Sequence, residues 1–76
     1  MDKATQQAKI LQYCAEHGSI TIREAFERLD INSPSKRISE LRNSGQYDVQ
    51  AIREHRTNKA GETKPYNRYY ISRLGV

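Results

Sequence analysis

The chain has 76 residues, of which 36% are hydrophobic and 29% charged, and its formal net charge is +4. A chain of this length has a small core, because it buries only roughly 60% of the surface that its unfolded form exposes. The single cysteine, Cys14, excludes an intramolecular disulfide, and no segment resembles a signal peptide or the run of roughly 20 apolar residues that spans a membrane. We therefore expect one domain over residues 1–76, with a core over about 4–73, in the cytoplasm and without membrane contact.

The positive charge is concentrated in the second half of the chain. Four basic and five acidic residues precede Ser33, whereas nine basic and four acidic residues follow from Ser33 onward. Such an asymmetry is typical of a surface that binds a polyanion, and it is also found on ordinary solvated surfaces.

Residues 4–16 predict a first amphipathic helix. At about 100° per residue, one broad face holds Ala4, Ala8, Leu11, Cys14 and Ala15. Ile10 and Tyr13 flank this face, and a contact between two copies of the chain through this helix is a hypothesis. Gly18 suits the left-handed position that ends a helix, and residues 19–21 are expected to form a very short extended segment.

The spacing of Thr21 and Glu24 predicts a capping box at the start of a second helix. In this motif the threonine hydroxyl accepts a backbone hydrogen bond and the glutamate reaches back to the threonine amide. The helix is expected to run from Ile22 to near Asp30. Its buried face is predicted to hold Ile22, Ala25, Phe26 and Leu29.

A tight connection at residues 31–32 leads to a third helix over about residues 33–43. Ser33 is a suitable N-cap, and Pro34 fits the first helical position, where its missing amide hydrogen is not needed. Ile38 and Leu41 define the buried face, so the opposite face is polar. It comprises Lys36, Ser39, Glu40 and Asn43, with Arg37 at its margin and Ser33 and Ser35 at the N-terminal turn, where backbone amides favour an anion.

After Gly45 the hydrophobic pattern changes from helical to alternating. Tyr47, Val49 and Ala51 are predicted to share the buried side of a strand that runs to about Arg56. Residues 57–66 are polar and predict a long hairpin loop. The return strand is expected at residues 68–72, with Tyr69 and Ile71 facing the core.

These elements form the α+β arrangement of a three-helix winged helix-turn-helix with a C-terminal β-hairpin wing. The segments GSITIREAFERLDI, RISELRNSGQYDV and RYYIS resemble the small winged helix-turn-helix DNA-binding domains of bacterial and phage genomes. The resemblance extends from about Ala8 to Ser72. It implies binding of double-stranded DNA with the third helix in the major groove, in transcription regulation or at a phage or mobile-element DNA site.

The resemblance and the polar face together predict which residues contact DNA. In the third helix they are Ser33, Ser35, Lys36, Arg37, Ser39, Glu40 and Asn43; in the wing they are Arg56, Asn58, Lys59, Lys64 and Arg68. Lys36 is expected to reach guanine acceptors, and Asn43 a base edge or a phosphate. Glu40 either accepts from cytosine, repels phosphates or orients Lys36 or Arg37, and the last interpretation is favoured. Wing contacts are expected to add affinity more than sequence selectivity.

Other interpretations of these residues stay open at this point. The polar helix face and the loop match ordinary solvated surface, and the fold also serves as a protein–protein interaction module, such as an adaptor or an inhibitor of another regulator. Binding of RNA or single-stranded DNA would require an exposed Tyr70. Since one reading helix covers few base pairs, a homodimer or a second protein is expected to assist tight binding.

Catalysis and metal binding are not expected. Cys14 and His17 have the i, i+3 spacing of a metal pair or a Cys-His nucleophile, but the sequence offers no further ligand nearby and His55 is isolated. Cys14 is therefore predicted to be a small core residue. We expect no cofactor, no metal, no small-molecule substrate and no enzymatic activity.

Overall fold

Three helices and three strands make up the fold in a computed structural model that describes Asp2–Leu74. Their order is α1 (Lys3–His17), β1 (Ile20–Thr21), α2 (Ile22–Leu29), α3 (Pro34–Asn43), β2 (Tyr47–Thr57) and β3 (Thr63–Arg73). β3 lies at the centre of the sheet, with β1 and β2 antiparallel to it on either side. The predicted α+β architecture with a C-terminal hairpin is confirmed, and the short segment β1 adds a third strand to the hairpin.

Local sequence signals set the ends of the first two helices. The Asp2 carboxylate accepts a hydrogen bond from the backbone N–H of Thr5 at 2.8 Å, and α1 ends at Gly18 with φ of 89°. The predicted capping box is confirmed. The Thr21 hydroxyl accepts from the Glu24 N–H at 3.1 Å, and a Glu24 carboxylate oxygen accepts from the Thr21 N–H at 2.9 Å.

The connection from α2 to α3 is short and anchored in the core. Asp30 adopts a left-handed conformation with φ of 57°, and the N–H of Ile31 donates to the carbonyl of Ala25 at 3.3 Å. The Ile31 side chain is fully buried, which fixes the position of the turn. Pro34 occupies the first turn of α3 as predicted, whereas Ser33 precedes the helix without a side-chain capping bond.

The core lies between the helices and the sheet. Its buried apolar residues are Ile10, Tyr13, Cys14, Ile20, Ala25, Ile31, Ile38, Leu41 and Val49. Tyr69 and Ile71 pack against this cluster, as predicted. Cys14 is a buried core residue, as predicted, and burial raises the pKa of its thiol to about 11.

The predicted buried face of α1 is correct at Leu11 and Cys14 and wrong at its three alanines. Ile10 is 0% exposed and Tyr13 is buried, whereas Ala4, Ala8 and Ala15 are exposed. The true face is rotated by roughly 100°, about one residue step, because larger side chains gain more from burial than alanines do. Ile10 and Tyr13 are therefore not available for the hypothetical contact between copies.

The predicted burial of Phe26 is also wrong. Phe26 is 57% exposed and borders an open cleft between α2 and the hairpin. α2 packs through Ala25, with Ile22 and Leu29 partly buried. Because β1 has only two residues, the sheet does not extend over the Phe26 side of the helix.

The hairpin is longer and its loop shorter than predicted. β2 and β3 pair without interruption from Tyr47 opposite Arg73 to Thr57 opposite Thr63, so the loop comprises only residues 58–62. Val49 is buried and Tyr47 half-buried, but Ala51 is exposed, against the prediction. The strands therefore continue beyond the core as a projecting arm, and the molecule measures 42 × 27 × 21 Å.

Candidate nucleic-acid interface

One side of α3 is exposed and rich in hydrogen-bonding side chains. We call this surface the exposed arc of α3; it consists of Ser33, Ser35, Lys36, Ser39, Arg42 and Asn43. Pro34, Ile38 and Leu41 occupy the opposite, buried side. The exposed arc contains two cations and no carboxylate, so it offers positive charge, hydroxyl groups and an amide to an approaching ligand.

Arg42 belongs to the exposed arc and was not among the predicted site residues. It lies seven positions after Ser35 and three after Ser39, spacings that place it near both on a helix. This regularity was the signal in the sequence that could have found it. Within the described range Asp2–Leu74, the Arg42 guanidinium makes only a long hydrogen bond, with Nη2 at 3.5 Å from the carbonyl oxygen of Val49.

Arg37, by contrast, does not reach the exposed arc. Only 11% of its side chain is exposed, and its Nη1 forms an ion pair with Oε1 of Glu40 at 3.3 Å. Its buried Nε finds no hydrogen-bond partner within residues 2–74. Arg37 therefore packs on the inner side of α3, as long charged side chains do when their stems cover apolar surface.

Glu40 connects α3 to α1. Its carboxylate accepts a hydrogen bond from Gln7 Nε2 at 3.0 Å and forms ion pairs with Lys3 at 3.5 Å and Arg37 at 3.3 Å. Burial alone would raise the pKa of Glu40, but the Gln7 hydrogen bond and the charges of Arg37 and Lys3 lower it below its ordinary value. The helical pair with Arg37 that the sequence favoured is present, and both carboxylate oxygens of Glu40 are occupied.

The wing loop, residues 58–62, is ordered by its own hydrogen bonds. Asn58 Oδ1 accepts from the N–H groups of Ala60 and Glu62, each at 3.0 Å. Backbone bonds join Asn58 N–H to Glu62 at 2.9 Å and Gly61 N–H to Asn58 at 3.0 Å, and Gly61 takes the left-handed φ of 81°. Asn58, a predicted DNA contact, thus uses its carbonyl to shape the loop.

Three exposed cations surround the wing loop: Arg56, Lys59 and Lys64. We call them the wing cations. Arg56 lies directly opposite Lys64 on the neighbouring strand. None of the three forms an ion pair within the described part of the chain. The end of the hairpin therefore carries three cations against one carboxylate, that of Glu62, and its net charge is positive.

Arg68, the fifth predicted wing residue, lies on β3 opposite Ile52, away from the wing loop. Its Nε donates to Glu54 Oε1 at 3.0 Å, and its Nη1 donates to Ser19 Oγ at 3.1 Å and lies 3.5 Å from Glu24 Oε1. The Tyr66 hydroxyl donates to the same Glu54 oxygen at 2.7 Å. These bonds from Tyr66 and Arg68 lower the pKa of Glu54. The hydrogen bonds and ion pairs of Arg68 thus connect the hairpin to the start of α2.

Cys14 and His17, which have the spacing of a metal pair, make other contacts. Cys14 lies in the core, and the His17 ring rests on Tyr13 with ring centroids 4.3 Å apart. Asp2–Leu74 contains no group of three His, Cys, Asp or Glu side chains that could hold a metal ion. None of the helices in this range is long and apolar enough to cross a membrane.

The order of three helices followed by a paired hairpin agrees with a comparison against protein families. The sequence model described as "Winged helix-turn-helix domain" matches residues 5–73. The chain belongs to the winged helix-turn-helix family. Comparisons with curated proteins and with solved structures find no match. In this winged helix-turn-helix domain, α2 and α3 form the helix-turn-helix, the β2–β3 hairpin is the wing, and family membership points to DNA binding.

Proposed function

We propose that this winged helix-turn-helix domain binds double-stranded DNA, with the exposed arc of α3 in the major groove and the wing on the flanking backbone. The observation that carries the proposal is the distribution of charge on α3. The cations Lys36 and Arg42 are exposed, while Glu40, the one acidic residue of the helix, is held by Lys3, Gln7 and Arg37. A polyanion therefore meets no carboxylate on the exposed arc.

The exposed arc supplies the chemistry for both base and phosphate contacts. Lys36 and Arg42 donate to the N7 and O6 acceptors of guanine, and the Asn43 amide matches the edge of adenine. Ser33 and Ser35 lie at the N-terminus of α3, where free backbone N–H groups and the helix dipole favour a phosphate. Ser39 lies between these groups and bonds to either.

The wing cations supply the contacts to the phosphate backbone of the DNA. Like charges directly opposite each other on neighbouring strands are destabilising, and Arg56 and Lys64 are such a pair. A phosphate between them removes the repulsion. Because the wing loop is already ordered by Asn58, little conformational entropy is lost when it binds. These contacts add affinity and salt dependence rather than base selectivity.

The biological role that fits this activity is a small transcriptional regulator or a DNA-binding protein of a phage or mobile element, acting in the cytoplasm. The resemblance of GSITIREAFERLDI and RISELRNSGQYDV to bacterial and phage domains supports this role. The same physical contacts serve an activator, a repressor and an architectural protein.

A second candidate is a protein–protein interaction module on the same fold, an adaptor or an inhibitor of another regulator. The exposed Phe26 beside the cleft between α2 and the hairpin favours it, because exposed aromatic residues are common anchors at interfaces. Charge reversal at Lys36 separates the two functions. It strongly weakens binding if the ligand is DNA and leaves the binding of a protein at the Phe26 cleft unchanged.

The test is an NMR titration of the labelled protein with a short generic duplex at low and at physiological salt. We expect chemical shift changes concentrated on the exposed arc of α3 and the wing cations, and weaker binding at higher salt because counterions are released from the phosphates. If these residues do not shift at either salt concentration, the proposal is wrong. Shifts centred on Phe26 instead of α3 would also contradict it.

A further inference from the structure

The sheet has one long, unpaired edge. The strand order β1-β3-β2 places β2 at this edge, and β2 has eleven residues, none of them proline. An unpaired edge presents a row of free N–H and C=O groups and is a template for a second strand. Ile52, at the middle of β2, is 50% exposed.

The register of the hairpin shows which backbone groups are free. The N–H of Asn58 donates to Glu62 at 2.9 Å beyond one end of the ladder, and the N–H of Leu74 donates to Gln46 at 2.8 Å beyond the other. Hydrogen bonding alternates along an antiparallel strand, so the even-numbered residues of β2 bond to β3. The odd-numbered residues, from Tyr47 to Thr57, direct their N–H and C=O groups to the free edge.

The opposite edge of the hairpin is protected, and the β2 edge is not. Pro65 lies on β3 beyond the two residues that pair with β1, and its odd number places its nitrogen at the outer edge. Proline at such a position prevents the addition of a strand. Within residues 2–74, the hydrogen bond to an outward-facing group of β2 is the 3.5 Å bond from Arg42 to the Val49 carbonyl, and a bond of this length is weak.

The sequence of β2 is complementary to itself in one antiparallel register. With a two-fold axis at Ile52, the odd-numbered residues face one another and exchange backbone bonds, starting with Ala51 opposite Arg53 of the second copy. On the face that carries Ile52, this side chain then contacts its own copy, and Gln50 lies opposite Glu54. Asp48 lies opposite Arg56, and the symmetry creates this ion pair twice.

The neighbouring registers do not have this complementarity. An axis at Ala51 places Asp48 opposite Glu54 of the second copy, and an axis at Arg53 places Arg53 opposite itself. Like charges directly opposite are destabilising. The charge pattern of β2 therefore favours the axis at Ile52 over the axes at Ala51 and Arg53.

We propose that β2 pairs with β2 of a second copy of this chain about a two-fold axis at Ile52, forming a continuous sheet β1-β3-β2-β2-β3-β1. Charge complementarity identifies the occupant of the edge as the same chain. A single strand ladder is a small interface, so the dimer forms at high protein concentration and dissociates on dilution. Its two copies of α3 supply the second reading helix that tight, specific binding requires.

The experiment is sedimentation equilibrium of the wild type and of two charge-reversed variants, Asp48→Arg and Arg56→Asp. We expect the wild type to dimerise at millimolar concentration and each variant to associate about tenfold more weakly, because attraction becomes repulsion at two symmetric positions. An equimolar mixture of the two variants restores association as a heterodimer. The two substituted side chains then face each other with opposite charges, and the remaining native Asp48 faces the remaining native Arg56.

The matched control is a mixture of Asp48→Arg with Lys59→Glu. The Lys59→Glu substitution also reverses a wing charge, but it lies outside the paired strands. With an absorbing label on the Asp48→Arg chain, this mixture should associate more weakly than the mixture of Asp48→Arg and Arg56→Asp, because one of its two charge pairs is repulsive. Any of three results would overturn the proposal: a wild type that is monomeric at millimolar concentration, a mixture of Asp48→Arg and Arg56→Asp that does not associate, or equal rescue by Lys59→Glu. Circular dichroism confirms that the variants are folded. Lys36→Glu, which tests DNA binding, lies outside β2 and leaves the dimer intact, so the two proposals fail separately.

Discussion

Ile31 should be one of the most important residues for stability, although the sequence places it in a connection between helices. Its side chain is fully buried, at 0% exposed, and its backbone closes the end of α2. Replacing a buried isoleucine by alanine typically costs about 2–5 kcal/mol, and by valine about 0.5–1.5 kcal/mol. We expect Ile31→Ala to cost about 3 kcal/mol and Ile31→Val about 1 kcal/mol.

The chain contains a matched control for this prediction. Ile52→Ala makes the same chemical change at a side chain that is 50% exposed, and it should cost less than about 1 kcal/mol. The assay is urea unfolding followed by circular dichroism, at a protein concentration low enough to avoid association. Because domains of this size are stabilised by only about 0.05–0.15 kcal/mol per residue, the Ile31→Ala variant should be close to unfolding. Equal costs at the two positions would refute the assignment of Ile31 to the core.

The polar network, the thiol and the wing each provide a further test. Tyr66 and Arg68 lower the pKa of Glu54 below its ordinary value of 4.5. The unfolded state therefore binds the proton more tightly than the folded state does. As a result, stability is lost as the pH falls through the pKa of Glu54 in the folded state. Glu54→Gln should therefore reduce the acid dependence of urea unfolding, and an unchanged dependence would contradict the network. Cys14 is buried and the pKa of its thiol is raised to about 11. It should therefore react with a thiol reagent at neutral pH only when the protein unfolds. Rapid reaction of the native protein would count against the burial of Cys14. Lys64→Ala should weaken binding to a DNA duplex and reduce its salt dependence by about one phosphate contact, whereas Arg68→Ala should mainly lower the free energy of unfolding. The opposite pattern in binding and urea titrations would show that Arg68, rather than Lys64, contacts DNA.

The sequence predicted the features that depend on nearby residues. The capping box of Thr21 and Glu24, the left-handed Gly18 and Pro34 in the first turn of α3 each involve at most a few consecutive positions. The polar side of α3 could be predicted in the same way, because Ile38 and Leu41 define its buried side. Where local chemistry determines the conformation, the interpretation of a single sequence is sufficient.

The incorrect predictions concern contacts between distant parts of the chain. The sequence also did not indicate the partners of Arg68, because Glu54 is 14 residues away and Ser19 is 49; its predicted contact with DNA stays a prediction. Similarly, Glu40 meets Gln7 across 33 residues, which no local pattern indicates. The rotation of α1 and the exposure of Phe26 also depend on where the other helices and the short β1 lie.

The loop was predicted too long for a different reason. Polar residues and a proline favour a loop over residues 57–66, but a hairpin that projects from the core is polar on both faces and still pairs its backbone. Pro65 is tolerated in β3 because its position on the outer edge requires no hydrogen bond. Composition alone does not distinguish such an arm from a loop.

DNA binding by the exposed arc of α3 is tested by comparing Lys36→Glu with Lys9→Glu in binding to a short duplex over a range of salt concentrations. Both lysines are exposed and both variants change the net charge equally, but Lys9 lies on α1, on the side away from the Gln7 contact to α3. We expect Lys36→Glu to weaken binding about tenfold or more and to reduce the salt dependence, and Lys9→Glu to have a small effect. Equal effects of the two variants would show that only the net charge matters, and would contradict the assignment of α3 as the DNA-binding element.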